Sequence, residues 1–157
     1  MTAHPTDKIS YSFAGGDHLP GVRQLLAGCG LPHGDITVAH LKHFLLGWDD
    51  SDGARLVGTV GLEIIGDRAL LRSLAVDPDY RGRKIATGLV GRIEDYARSL
   101  KVNTLFLLTM TAEAFFKKCG YRPTARDSAP AGIQETTEFQ NLCPVSAACL
   151  VKRLGVD

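Results

Sequence analysis

The sequence predicts a single α+β domain, and three observations carry that prediction. The N-terminal half alternates between short strand-like segments and turn residues, as an antiparallel meander does. Residues Ile85, Leu89, Ile93, Tyr96 and Leu100 recur at spacings of four, four, three and four, which lays one apolar stripe along a helix. The run Thr104–Thr109 is apolar throughout its centre, as expected of a strand covered on both faces.

Taken in order, Lys8 to Ala14 alternates with Ile9, Tyr11 and Phe13 on one side and reads as a first strand. Asp17 is placed to cap a helix whose apolar positions are Leu19, Val22, Leu25, Leu26 and Cys29, with Pro20 tolerated in its first turn and Gly30 ending it. Ile36 to Leu41 reads as a short second helix. Phe44 to Trp48 and Arg55 to Ile64 are strands joined by the turn-rich Asp49 to Gly53. Gly66 and Asp67 turn the chain into the strand Ala69 to Val76.

On the helix that starts at Ile85, residues Arg92, Glu94, Asp95 and Arg98 are assigned to the wet side, with Glu94 and Arg98 at the favourable i, i+4 spacing. Strand, helix and strand in succession imply that Ala69–Val76 and Thr104–Thr109 run parallel. Ala112 to Cys119 reads as a helix stopped by Gly120. Tyr121 to Ser146 reads as loops and short helices, and Ala147 to Leu154 as a last strand.

At 157 residues, with 45% hydrophobic and 22% charged residues, the chain is expected to form one domain over residues 1–157 with a buried core. A net charge of +1 argues against a nucleic-acid binder that relies on a bulk basic surface. No segment approaches the roughly 20 apolar residues of a membrane span, and the N-terminus lacks the apolar centre of a signal peptide. A cytoplasmic protein with no membrane or nucleic-acid partner is the expectation. Its four cysteines, Cys29, Cys119, Cys143 and Cys149, form no CxxC pair, and the histidines form no metal-ligand pattern, so no metal is expected.

The chemistry concentrates after the strand Ala69–Val76. A basic, glycine-containing turn there, Arg81-Gly82-Arg83-Lys84, opens a helix. The first-turn amides and the helix dipole favour an anion at such a place, and three cationic side chains add full charges. A second segment, Ala114-Phe115-Phe116-Lys117-Lys118-Cys119-Gly120-Tyr121, follows the next strand.

Together these segments resemble the GNAT superfamily of acetyl-CoA-dependent N-acetyltransferases, over about Lys8 to Arg153. Arg81-Gly82-Arg83-Lys84-Ile85-Ala86 is similar to the family's Arg-x-x-Gly-x-Gly/Ala pyrophosphate loop, with Lys84 where the family usually has glycine. Residues 114–121 are similar to its helix and strand ending in Gly-Phe or Gly-Tyr. The resemblance implies a mixed, mostly antiparallel central sheet of about six to seven strands flanked by helices. Four pieces, Leu70–Val76, Leu108–Phe116, Ala129-Pro130 and Phe139–Cys149, further resemble the small GNAT proteins encoded with arsenic-resistance genes. The central part also resembles the acetyltransferase domain of N-acetylglutamate synthases.

This resemblance implies acetyl-CoA as donor and the amine of a small molecule as acceptor, with a homodimer possible. The pyrophosphate is expected on the turn, which makes Arg81, Gly82, Arg83, Lys84, Ile85, Ala86 and Thr87 cofactor-binding. The pantetheine arm is expected along the strand edge at Leu74, Ala75 and Val76. Glu63 is the only carboxylate in the apolar stretch from Leu56 to Ile65 and is the candidate general base, with an ion pair to Arg72 as the competing use. Arg72 is the candidate for an acceptor carboxylate, and Ser73, Thr109 and Thr111 are the other candidate substrate contacts. Thr111 is alternatively a helix cap. Where the family has a tyrosine as general acid, this chain has Phe116. Tyr121 is the substitute to weigh against a core role, and solvent is a sufficient proton source for a thiolate. Cys143 and Cys149 are the cysteines to weigh as ligands of trivalent arsenic.

Overall fold

The computed structural model describes residues 8–51, 53–142 and 147–155. Among the described residues there are seven strands: β1 (Ile9–Phe13), β2 (Phe44–Asp49), β3 (Arg55–Ile65), β4 (Arg68–Val76), β5 (Thr104–Thr109), β6 (Arg122–Pro123) and β7 (Ala148–Arg153). They are hydrogen-bonded in the order β1-β2-β3-β4-β5-β7-β6. β1–β2, β2–β3, β5–β7 and β6–β7 are antiparallel, and β4–β5 is parallel as the strand–helix–strand succession predicts. The α-helices are α1 (Leu19–Gly28), α2 (Val38–Leu41), α3 (Ile85–Ser99), α4 (Glu113–Lys118) and α5 (Ala131–Gln134). This is the expected α+β architecture of helices around a mostly antiparallel sheet. None of the helices among the described residues is long and apolar enough to cross a membrane.

The chain divides into two compact units. One comprises residues up to Gly61 with Ser73–Ile93, and the other Leu62–Arg72 with the chain from Glu94 onward. In the first, Val22 and Leu26 of α1, Ile36, Leu41 of α2, Phe44 and Leu46 of β2 and Ala75 of β4 form the core, with Cys29 packed against it. Glycine is required by contact at Gly61, where an added Cβ would lie 2.3 Å from the Phe44 ring. A short 3-10 turn, Gly16–His18, precedes α1, and the His18 ring accepts the Gly15 amide at 2.8 Å. Asp17 does not cap the helix as expected, because the intervening turn starts the spiral before it.

In the second unit, Leu70, Phe106, Ala129, Ile133, Phe139, Cys149 and Val151 form the core. The stretch between β6 and β7 supplies three of these from a 3-10 turn's end, α5 and a π-helical turn at Glu138–Leu142. The β4–β5 ladder consists of three pairs, Arg68–Thr104, Ala69–Leu105 and Leu70–Phe106, although both strands continue beyond it. β4 also carries Ser73 at φ 60, a left-handed conformation that L-residues adopt rarely.

One assignment from helical periodicity is overturned. Glu94 is buried rather than wet, and Arg98 pairs with Asp95 at 2.9 Å instead of with Glu94. The helix also stops at Ser99, which leaves Leu100 exposed at the end of the apolar stripe.

Candidate functional site

In the first unit the basic turn is built on an anchored strand end. The Asp77 amide donates to the Val57 carbonyl at 2.8 Å, and the Asp77 carboxylate accepts the Asp79 amide at 2.9 Å, opening a 3-10 turn at Pro78–Tyr80. Tyr80 is buried and its phenol donates to Asp49 at 2.6 Å. Asp49 is itself held down at about 2, first by the Ser51 hydroxyl, then by Tyr80 and the Ser51 amide. A strand end pinned in this way fixes the direction from which the following residues enter α3.

Those residues need left-handed backbone twice. Arg81 is extended, Gly82 has φ 81 and Lys84 has φ 64, after which α3 runs from Ile85. Glycine meets such a demand without strain, and lysine does not. The Lys84 carbonyl accepts the Gly88 amide at 3.0 Å, so Lys84 is the residue that starts the helical ladder. Helix geometry then leaves the first-turn amides without intrahelical partners, and the amides expected to cradle the pyrophosphate are those of residues 83 to 86.

The three cationic side chains of the turn are not used alike. Arg81 turns back, with Nε donating to the Val76 carbonyl at 3.3 Å and Nη2 lying 3.7 Å from the Cys29 sulfur. Arg83 lies over the Tyr80 ring at 4.6 Å and donates to the Asp79 carbonyl at 3.0 Å, while Arg55 stacks on the same ring at 5.3 Å. Lys84 is exposed. Of the candidate pantetheine contacts, Leu74 is half-buried and Ala75 and Val76 are buried. The Val76 carbonyl already accepts from Arg81 and from the Cys29 thiol.

In the second unit Glu63 and Arg72 meet. Arg72 Nη1 donates to Glu63 Oε2 at 2.8 Å, and Arg72 Nε lies 3.8 Å from Glu138 Oε2. The guanidinium has no exposed surface, whereas the Glu63 side chain is 19% exposed. Arg72 is thus committed to protein carboxylates, the competing use foreseen for it. Glu138 was not singled out by the sequence reading; its signal is an acid beside Phe139 within a stretch that packs as core. Ser73 is buried. The Thr109 hydroxyl accepts the Ala112 amide at 3.0 Å, so Thr109 rather than Thr111 serves the start of α4, and Thr111 is exposed.

Phe116 is buried, edge-on to the Tyr121 ring with centroids 5.4 Å apart. Tyr121 is buried as well and donates to Glu94 at 2.9 Å. Lys152 reaches the other oxygen of Glu94 at 2.9 Å and the Cys119 carbonyl at 2.8 Å. Burial, then the Glu94 charge, pushes the Tyr121 phenol far above the usual tyrosine range, so Tyr121 is a structural donor and no proton source at neutral pH. Burial also pushes up the thiols of Cys119 and Cys149. Cys143 lies outside the described residues.

Comparison with known proteins follows the same lines. Residues 23–121 match the model of the Acetyltransferase (GNAT) family. An amino-acid acetyltransferase of Pseudomonas syringae pv. tomato is 37% identical over 70 residues, 45% of this chain and 16% of that protein. The N-acetylglutamate synthase of Neisseria gonorrhoeae, complexed with coenzyme A and N-acetyl-glutamate, superposes with a TM-score of 0.80 at 21% identity, covering 94% of this chain and 35% of the synthase. Rv2747 from Mycobacterium tuberculosis, in complex with CoA and NLQ, gives 0.74 at 20% identity over 92% and 98% of the two chains. This chain therefore spans only a small part of the amino-acid acetyltransferase and about a third of the synthase. With the family model covering well over half of its length, and with the strand order and basic turn in place, the chain belongs to the GNAT acetyltransferase family.

Proposed function

We propose that the chain is an N-acetyltransferase that moves the acetyl group of acetyl-CoA onto the amine of a small amino-acid-like acceptor. The observation that carries this reading is the basic Arg81–Thr87 turn, in which the left-handed Gly82 and Lys84 lead into the first turn of α3, in a chain of the GNAT family. In that reading the amides of residues 83 to 86 hold the pyrophosphate. The strand edge at Leu74, Ala75 and Val76 pairs with the pantetheine amides.

The reaction forms a C–N bond to the acetyl carbon and breaks its C–S bond. The acceptor ammonium must lose a proton, and the departing thiolate must gain one. Glu63 is the proposed base: a buried arginine fixes its carboxylate, and part of its surface remains open. Arg72 acts through Glu63 as a positioning residue rather than on an acceptor carboxylate. Ser73, Thr109 and Thr111 are the proposed acceptor contacts. With Phe116 and Tyr121 both in the core, solvent protonates the thiolate.

An amino acid is the first acceptor class to test, glutamate foremost, supported by the amino-acid acetyltransferase likeness. Following free thiol with acetyl-CoA and a panel of amino acids tests the activity, and no turnover above thioester hydrolysis refutes it. Saturating coenzyme A is expected to raise the melting temperature by mass action even without an acceptor. The narrower link to arsenic resistance rests on the sequence resemblance at Phe139–Cys149. Arsenite titration of wild type against Cys143→Ser and Cys149→Ser tests it, and equal negligible affinity in all three removes it.

A further inference from the structure

We infer that Glu138 is a positioning residue of the candidate site in the second unit, holding the Nε side of the Arg72 guanidinium so that Nη1 presents to Glu63. The inference rests on the reading of Glu63 as the base and adds a residue that the proposed reaction does not use. Ile133 and Phe139, on either side of Glu138 in sequence, are core residues, yet the Glu138 side chain is a carboxylate only 7% exposed. A carboxylate is costly to take out of water unless a charge faces it, and an apolar residue fills such a place without that cost. Arg72 is that charge. Its side chain has no exposed surface, Nη1 donates to Glu63 Oε2 at 2.8 Å, and Nε lies 3.8 Å from Glu138 Oε2. Of the two carboxylates Glu63 is the more open, at 19%.

The backbone that carries Glu138 is held independently of Arg72. The buried Thr136 hydroxyl donates to the Ile133 carbonyl at 2.7 Å and accepts the Phe139 amide at 3.4 Å. Arg126 Nη2 donates to the Phe139 carbonyl at 2.7 Å. These bonds fix the start of the π-helical turn Glu138–Leu142, a local geometry that recurs at functional sites. The guanidinium is a rigid planar fork, so contacts on two different nitrogens set its plane. With its Nε side turned to Glu138, Arg72 meets Glu63 through Nη1. Without Glu138 the guanidinium turns to clasp both Glu63 oxygens, the stronger bidentate arrangement. A carboxylate clasped in that way is a poorer base for the ammonium of the incoming amine.

The test measures kcat, the KM for acetyl-CoA and melting temperature for wild type, Glu138→Gln, Glu138→Asp, Glu63→Gln and the Glu63→Gln, Glu138→Gln double variant. The acceptor is whichever of the common amino acids wild type acetylates fastest. Glu138→Gln is expected to lower kcat about 10-fold with the KM for acetyl-CoA within about 2-fold, since it displaces the base and not the donor. Glu138→Asp keeps the charge on a shorter arm and should recover kcat to within about 3-fold of wild type. In the Glu63→Gln background the same Glu138→Gln change should alter kcat by less than about 2-fold, because the base it positions is gone. A merely structural Glu138 slows both backgrounds alike. Should Glu138→Gln melt below the assay temperature, Glu138→Asp is compared in the two backgrounds instead. A kcat for Glu138→Gln within about 3-fold of wild type, or an equal loss in both backgrounds, overturns the inference alone. Wild-type kcat in Glu63→Gln, or no turnover of any amino acid by wild type, overturns it together with the reading it rests on.

Discussion

Replacing Lys152 by methionine tests whether the buried network around Glu94 acts as a unit. The substitution keeps an unbranched side chain but removes the ammonium, which lies 5.5 Å from the centre of the Tyr121 ring and neutralises a carboxylate only 6% exposed. It also strips a donor from the Cys119 carbonyl. Removing one partner of a fully buried pair costs about 3–5 kcal/mol. The Lys152 side chain is 22% exposed, so water offsets part of the loss and about 2–3 kcal/mol is the working figure. For a chain of 157 residues, at about 2–4 °C per kcal/mol, the melting temperature should fall by roughly 4–12 °C.

A paired Glu94→Met, Lys152→Met variant restores charge balance. It should recover most of that loss, retaining a deficit of about 1 kcal/mol for the Tyr121 phenol left without its acceptor. Chemical denaturation of wild type, both single variants and the double variant gives the coupling directly. Singles that each cost under 1 kcal/mol, or that add without coupling, would refute the view that Glu94, Tyr121 and Lys152 stabilise the second unit jointly.

Gly61→Ala forces a methyl group into the fully buried Phe44 ring and should destabilise by about 1–3 kcal/mol; a melting temperature within 1 °C of wild type would show that the ring can yield. Asp49 titrates near 2 in the fold against 3.8 unfolded, so its stabilising contribution is complete above about pH 4 and disappears as pH falls toward 2. The melting temperature of Asp49→Asn should therefore decline less steeply than that of wild type across that window, and parallel curves would remove the assignment. Glu63→Gln should lower kcat by about 100-fold while leaving the KM for acetyl-CoA within 2-fold; a kcat within 3-fold of wild type means that Glu63 is not the base.

Most of the fold was legible because each element carries its own period or punctuation. The apolar run of β5, the stripe of α3 and the turns flanking β3 fix both type and order, and the observed bounds differ from the expected ones by a residue or two. Local spacing could not reveal which charged residues are taken inside. Glu94 falls on the polar side of a helical wheel, yet Lys152, fifty-eight residues later, neutralises it in the core. Glu138 is buried for a similar non-local reason, facing Arg72 from a π-helical turn that no periodicity announces. Within the basic turn, composition supplied three positive charges. Only the folded positions of Val76, Cys29 and Tyr80 show which of them the protein keeps for itself.

The outermost strands differ in a way that bears on aggregation. β6 is two residues long, and its Arg122 and Pro123 put a charge and a missing N–H at that end of the strand order. Such an edge is a poor template for a passing chain. β1, at the other end, has five residues without proline, and Phe13 within it is 45% exposed. Intermolecular strand addition should therefore begin at β1, and a lysine in place of Ser12 or Phe13 is the change to make if concentrated samples form fibrils or higher oligomers.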